Sequence, residues 1–207
     1  MVCTIDLVSD KAKTAVPRSS DDRDGQIVGR FRKGDTAAFE ELVARHQSRL
    51  MRLIGRLLDS RQDAEDVLQE VFVSVFENLS RFRGRASFST WTTTIAVNKC
   101  RTHRRRVARR RRLIQLLRGK PNGVAEYACH DLEEGEEVRL AVRALPPKYR
   151  EPVVLYYFEQ MSVAEISNVL RRKPNTIDAR LSRARRMLRE VLNRQREPIL
   201  KPGCGRQ

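Results

Sequence analysis

Asp66 and Glu70 stand four residues apart, the spacing at which two carboxylates on one helix turn could share a divalent cation. The pair sits in no recognisable catalytic motif and lacks a partner His or Lys, so a solvated helix face is its default reading. Cys3, Cys100, Cys129 and Cys204 form no CxxC pair, and His46, His103 and His130 have no partner at metal-ligand spacing. Neither a zinc ribbon nor a disulfide framework is expected. The chemistry these residues support is binding, without metal, cofactor or catalytic group, and the chain reads as a non-enzyme.

The sign of the charge indicates what is bound. Among 207 residues, 42 Lys and Arg face 26 Asp and Glu, giving a net charge of +16. A polyanion is the leading partner class, with nucleic acid ahead of anionic lipid because no basic amphipathic helix with a bulky apolar face is present. Near the carboxy end, two short helices joined by the turn RRKPN make a helix-turn-helix candidate. An α-helix fits the major groove, and side chains near its amino end reach base edges. Lys173, Asn175, Thr176, Ala179, Arg180, Arg183 and Arg186 are the candidate contacts; a helical hairpin with a solvated basic face is the alternative.

From Asn78 through Ala125 there is no Asp or Glu, while 14 Lys and Arg accumulate. Phe82, Phe88 and Trp91 interleave there with Arg81, Arg83 and Arg85. Exposed bases stack on aromatic faces while cations track phosphates, so this mixture suits separated strands. At their spacing, Phe88 and Trp91 read as core residues of a helix, which leaves Phe82, beside Gly84 in a loop, as the base-contact candidate.

The segment DAEDVLQEVFVSVFENL, Asp63 to Leu79, inverts this pattern, with five carboxylates and not one cation. Asp66, Gln69, Glu70, Val73 and Glu77 share a face that DNA would repel and a basic protein surface would attract. Taken alone, the segment could equally be a solvated acidic face or an internal partner for the arginines.

The elements that must position these residues are all helical. After a loose tail (residues 1–21), a short helix from about Asp22 to Lys33 precedes a long one capped by Asp35 and running to Leu58. Ser60 opens the acidic helix in a capping-box pattern, with Ala64, Val67, Leu68, Val71, Phe72, Val75, Phe76 and Leu79 as its apolar stripe. The link RFRGRAS leads to a helix starting near Phe88 that carries Trp91 and Ile95 inward and grows into the tract RTHRRRVARRRR. A linker over 113–131 separates this first domain (22–112) from a second (132–192), a four-helix unit with a full S-x-x-E box at Ser162, and residues 193–207 read as a tail. The expectation is an all-α protein of two small domains joined by a flexible linker. No apolar run or basic leader suggests a membrane segment or a signal peptide, so the cytosol is the expected compartment.

In this order, DAEDVLQEVF, FRGRASF, STWTTTIAVNKC, a basic tract, LPPKYREPVVLYYFEQMSVAEISNVL and TIDARLSRARRML resemble bacterial sigma factors of the extracytoplasmic-function group over about residues 24 to 192. The resemblance implies that Asp63, Asp66, Gln69, Glu70, Val73 and Glu77 dock on the clamp helices of the largest subunit of core RNA polymerase. It implies that Arg81, Phe82, Arg83, Arg85, Ile95, Asn98, Arg101 and Arg105 open and read the promoter's minus-ten element, Phe82, Ile95 and Asn98 matching the flipped-base positions. The helix-turn-helix would read the minus-thirty-five element beside the flap of the second-largest subunit, and residues 113–131 would thread toward the active-site channel. An anti-sigma factor is a further implied partner. Three positions depart from the family's pattern: Thr102 replaces a common acid, Arg171 a frequent turn glycine, and Asp178 a frequent lysine. The competing reading is a stand-alone helix-turn-helix regulator of duplex operators. Such a regulator needs neither an acidic docking face nor an aromatic-basic loop, and it usually dimerises, for which no heptad seam is visible.

Overall fold

The computed structural model describes residues 20–118 and 136–196. Most of the expected linker and tails lies outside those residues. Four helices form the first unit: α1 (Ser20–Arg32), α2 (Ala37–Leu57), α3 (Arg61–Asn78) and α4 (Phe88–Arg118), with a 3₁₀ turn at Leu79–Arg81. The second comprises α5 (Glu136–Ala144), α6 (Pro147–Val153), a π-helical turn at Val154–Phe158, α7 (Val163–Leu170) and α8 (Pro174–Arg196). No strand occurs among the described residues.

Periodicity accounts for the packing of α2. Leu42, Leu50, Leu53, Ile54 and Leu57 recur at helical spacing and are fully buried against α1, α3 and α4. Removing each such side chain from water contributes about 1.5–3 kcal/mol. The start of α2 is held by Asp35 rather than by Thr36, which makes no capping bond: the Asp35 carboxylate takes Nε and Nη2 of Arg30 at 2.9 and 2.7 Å and is also bonded by the backbone amides of Ala37 and Ala38. The charge-assisted pair with the guanidinium is the stronger contact, and a carboxylate has lone pairs enough to accept the amides as well.

Helix α3 begins where its sequence directs, with the Ser60 hydroxyl accepting the Asp63 amide at 3.3 Å. Ala64, Val67, Val71, Val75 and Leu79 are buried, and Leu68 and Phe72 are partly so. Phe76 is the exception to the expected stripe, being 47% exposed. It lies one position past Val75, far enough around the helix to leave the core, and its ring edge meets Phe31 and Phe39 at centroid distances of 5.5 and 5.0 Å.

Helix α4 continues past the expected start of the linker at 113 to Arg118, since Leu113 to Leu117 are good helix formers and contain no breaker. In the second unit Pro152 sits two residues before the π-helical turn begins. A proline removes one backbone donor and crowds the preceding turn, and a wider turn follows. Ser162 and Glu165 satisfy each other's backbone amides, a complete capping box for α7. Ile166, Val169, Leu170, Ile177, Leu181, Ala184 and Leu188 interlock α7 with α8. Between these helices Arg171 adopts left-handed backbone angles, φ 52° and ψ 53°.

Candidate functional site

Three surfaces stand out. The first is the outer face of α3, where Asp66, Gln69, Val73 and Glu77 are exposed and Val73 is 57% open to solvent. Phe76 lies three residues from Val73 and is also exposed, so the face carries two apolar side chains among its acids; Val73 is expected there, whereas periodicity assigns Phe76 to the core. Two acids lie toward α4 rather than outward. Glu70 meets Arg106 at 3.4 Å, and Asp63 lies 3.3 Å from Nε2 of buried His103, without hydrogen-bond geometry. The face is therefore graded, with free carboxylates outside and α4-facing ones inside.

The second surface comprises the 79–87 loop and α4. Gly84 adopts φ 67°, a left-handed turn that throws Arg83 and Arg85 outward; Arg81 is also exposed. Phe82 is half-buried, its ring 5.0 Å from Trp91 and 5.8 Å from Phe88, and its carbonyl accepts from Arg32. One edge of Phe82 faces solvent and the other belongs to an aromatic cluster that includes His46 against Phe88. Ile95 is half-buried, whereas Asn98, Thr102 and Arg105 form an exposed ridge at i, i+4 and i+7. Arg101 departs from this ridge, because its guanidinium grips Glu151 of α6. Sequence reasoning had no means to see this contact, since 50 residues separate the partners.

The third surface is the exposed side of α8. Pro174 occupies its first turn, and the Lys173 carbonyl accepts from the amides of Thr176 and Ile177. Lys173, Asn175, Ala179, Arg183 and Arg186 are exposed, and Thr176 and Arg180 are half-exposed. Ser182, Arg183, Arg186 and Arg189 lie together on one exposed face of the helix. Arg183 hydrogen-bonds the Tyr149 hydroxyl and, with Lys148, holds it below the usual phenol range. Arg185 donates to Tyr157 Oη at 3.1 Å, which fixes α8 to the π-helical turn. Asp178, the lone acid in the first turns of α8, is exposed beside these cations.

Among the described residues no three His, Cys, Asp or Glu side chains converge as metal donors. No described helix is long and apolar enough to cross a membrane. Burial pushes the Cys100 thiol up to about 12, so it is not a nucleophile at neutral pH.

Known proteins share this arrangement of units. Residues 42–111 match the sigma-70 region 2 family, and residues 135–188 match sigma-70 region 4. The RNA polymerase sigma-H factor of Pseudomonas aeruginosa is 30% identical over 199 residues, covering 87% of this chain and 97% of the relative. The ECF RNA polymerase sigma factor SigW of Bacillus subtilis is 30% identical over 176 residues, covering 80% and 94%. Among solved structures, CnrH in complex with the cytosolic domain of CnrY superposes with a TM-score of 0.60 at 28% identity, covering 83% of this chain and 97% of that one. With both regions matched in order and near full-length relatives at this identity, the chain belongs to the extracytoplasmic-function group of bacterial RNA polymerase sigma factors.

Proposed function

We propose that the chain docks on core RNA polymerase through α3, opens the promoter with the 79–87 loop and the α4 ridge, and anchors upstream through α8. The observation that carries the reading is the segregation of charge. Asp66 and Glu77 are exposed on α3 with Val73 and Phe76, while the exposed arginines lie on the 79–87 loop, α4 and α8. Carboxylates at that position repel DNA and steer a basic protein surface into register, while the apolar centre supplies the desolvated contact that resists dissociation. The largest-subunit clamp helices are the expected receptor of α3, and the flap of the second-largest subunit that of the second unit.

On the DNA side, Arg81, Arg83, Arg85 and Arg105 would track phosphates, and Ile95 and Asn98 would border an extruded base. Phe82 would present its open edge to that base while Trp91 and Phe88 brace its other side. Lys173, Asn175, Thr176, Ala179, Arg180, Arg183 and Arg186 would read and clamp the upstream duplex. An anti-sigma factor would be a further partner, as the similar CnrH is solved in complex with the cytosolic domain of CnrY. Bond making in transcription belongs to the polymerase, and this chain contributes recognition and strand separation.

Run-off transcription with purified core polymerase and genomic fragments tests the reading. Specific initiation dependent on this chain is expected, with Phe82→Ala impairing duplex templates more than pre-melted ones. Tight operator binding by the chain alone, with no initiation from any fragment, would favour the stand-alone regulator.

A further inference from the structure

Asp178 is the side chain of α8 whose surroundings leave it without a structural role. It is exposed near the amino end of a helix whose other outward residues from Lys173 to Arg189 are neutral or basic. An ion pair along a helix needs a cation three or four positions away. Those positions around Asp178 hold Pro174, Asn175, Leu181 and Ser182, none of them a cation. Glu190, by contrast, has Arg186 at that spacing and 3.9 Å away. Arg185 lies two turns on along the same flank as Asp178, but it is turned onto Tyr157 Oη at 3.1 Å. Among the described residues Asp178 makes no ion pair and no side-chain hydrogen bond. The field of a helix N-terminus fades beyond the first turn, and the first turn of α8 contains no acid.

On a surface that meets duplex, a carboxylate without a partner is repelled by phosphate, so it is favourable only where a base supplies a donor. Ala179, the next residue, is exposed and ends at its Cβ, which lets this turn of backbone approach the floor of the major groove. A short Asp side chain can then reach a base edge. Asn175 and Ser182, one turn to either side, place neutral polar groups on the same strip. Only adenine and cytosine present an amino donor in the major groove. Adenine sets the N7 acceptor beside its amino group, where a carboxylate is repelled, whereas cytosine has only a C–H beside N4.

We propose that Asp178 is a specificity-determining residue of the upstream reader, its carboxylate accepting from N4 of one cytosine and so selecting that base at a single position of the minus-thirty-five element. This deepens the reading of α8 given above and rests on it. A lysine at the same place selects guanine through O6 and N7, so the acid reverses the orientation of one preferred base pair. One direct contact of this kind discriminates roughly five- to tenfold against the other bases.

The test is transcription by core polymerase reconstituted with full-length wild type, Asp178→Ala or Asp178→Lys on a promoter library with a randomised upstream element, each transcript being sequenced to its template. Circular dichroism checks that each chain is folded, and either variant alone decides the outcome. Wild type should favour cytosine at one position by roughly five- to tenfold. Asp178→Ala should flatten that position alone, and Asp178→Lys should move its preference to guanine. Greater output from every upstream sequence alike in Asp178→Ala, with all base preferences kept, would show that the acid only repels phosphate and would overturn the proposal. A base other than cytosine at the position that Asp178→Ala flattens overturns it as well. Initiation indifferent to the upstream element in all three chains is a separate result, which removes the reading of α8 on which the proposal rests.

Discussion

Arg171 offers a sharp test of the helix-turn-helix geometry. It sits between α7 and α8 at φ 52° and ψ 53°, where its backbone amide closes α7 by bonding to the Ser167 carbonyl. For a residue with a Cβ this conformation costs about 1–2 kcal/mol, whereas glycine adopts it freely. Glycine also has more backbone freedom to lose on folding, about 0.5–1 kcal/mol relative to alanine. The difference leaves Arg171→Gly more stable by about 0.5–1 kcal/mol, a rise of roughly 1–4 °C in a chain of this size. The side chain is exposed, so little packing is lost. Thermal unfolding followed by circular dichroism measures the shift, and Arg171→Ala is the control, because it removes the charge but keeps the strained Cβ. Stabilisation by glycine and not by alanine is expected. Equal effects from both would refute the strain argument and assign the change to charge.

Other expectations come from the same geometry. Val73→Arg should change folding stability by less than about 0.5 kcal/mol, because the site is solvent-facing, yet weaken the complex with core polymerase; a pull-down alongside a melting curve separates the two. Asp24 is 1% exposed and bonds His46 and Arg45 at 2.9 and 3.0 Å. Burial works to raise its pKa, but these two partners prevail and hold it below the ordinary 3.8. A depressed carboxylate contributes stability that is present above its unfolded value and lost as pH falls through the folded one, so the grip of α1 on α2 should fail only below about pH 4. Asp24→Ala, which leaves the Arg45 guanidinium and the buried His46 ring without their acceptor, should cost about 3 kcal/mol at neutral pH in a denaturant titration, and a loss under 1 kcal/mol would contradict the pairing. Peptide mapping after iodoacetamide treatment at pH 8 should leave Cys100 unmodified until the chain is unfolded.

What the sequence disclosed depended on distance along the chain. Ser60 and the pair Ser162 and Glu165 announce their helices because a cap reaches only three positions along the chain. The stripes of α2, α3 and α8 are legible because helical periodicity is local as well. Phe76 was misassigned for the same reason: four-residue spacing placed it with Phe72, and only the packing of α1 and α2 decides where the covered arc ends. Arg101 and Arg104 read as two more cations in a basic tract, and nothing near them indicates that Glu151 is their partner. The aromatic loop was half legible. Its composition suggested base stacking, but Phe82's lean on Trp91 and Phe88 is a tertiary fact.

The division of labour by charge meets its most direct test at α3. Binding of fluorescently labelled chain to core polymerase should be measured for wild type and for Asp66→Arg combined with Glu77→Arg, the two outward acids, each first shown to keep its helicity. Saturable binding by wild type and strongly weakened binding by the charge-reversed chain is the predicted result. Equal affinity of the two chains for core enzyme would contradict it.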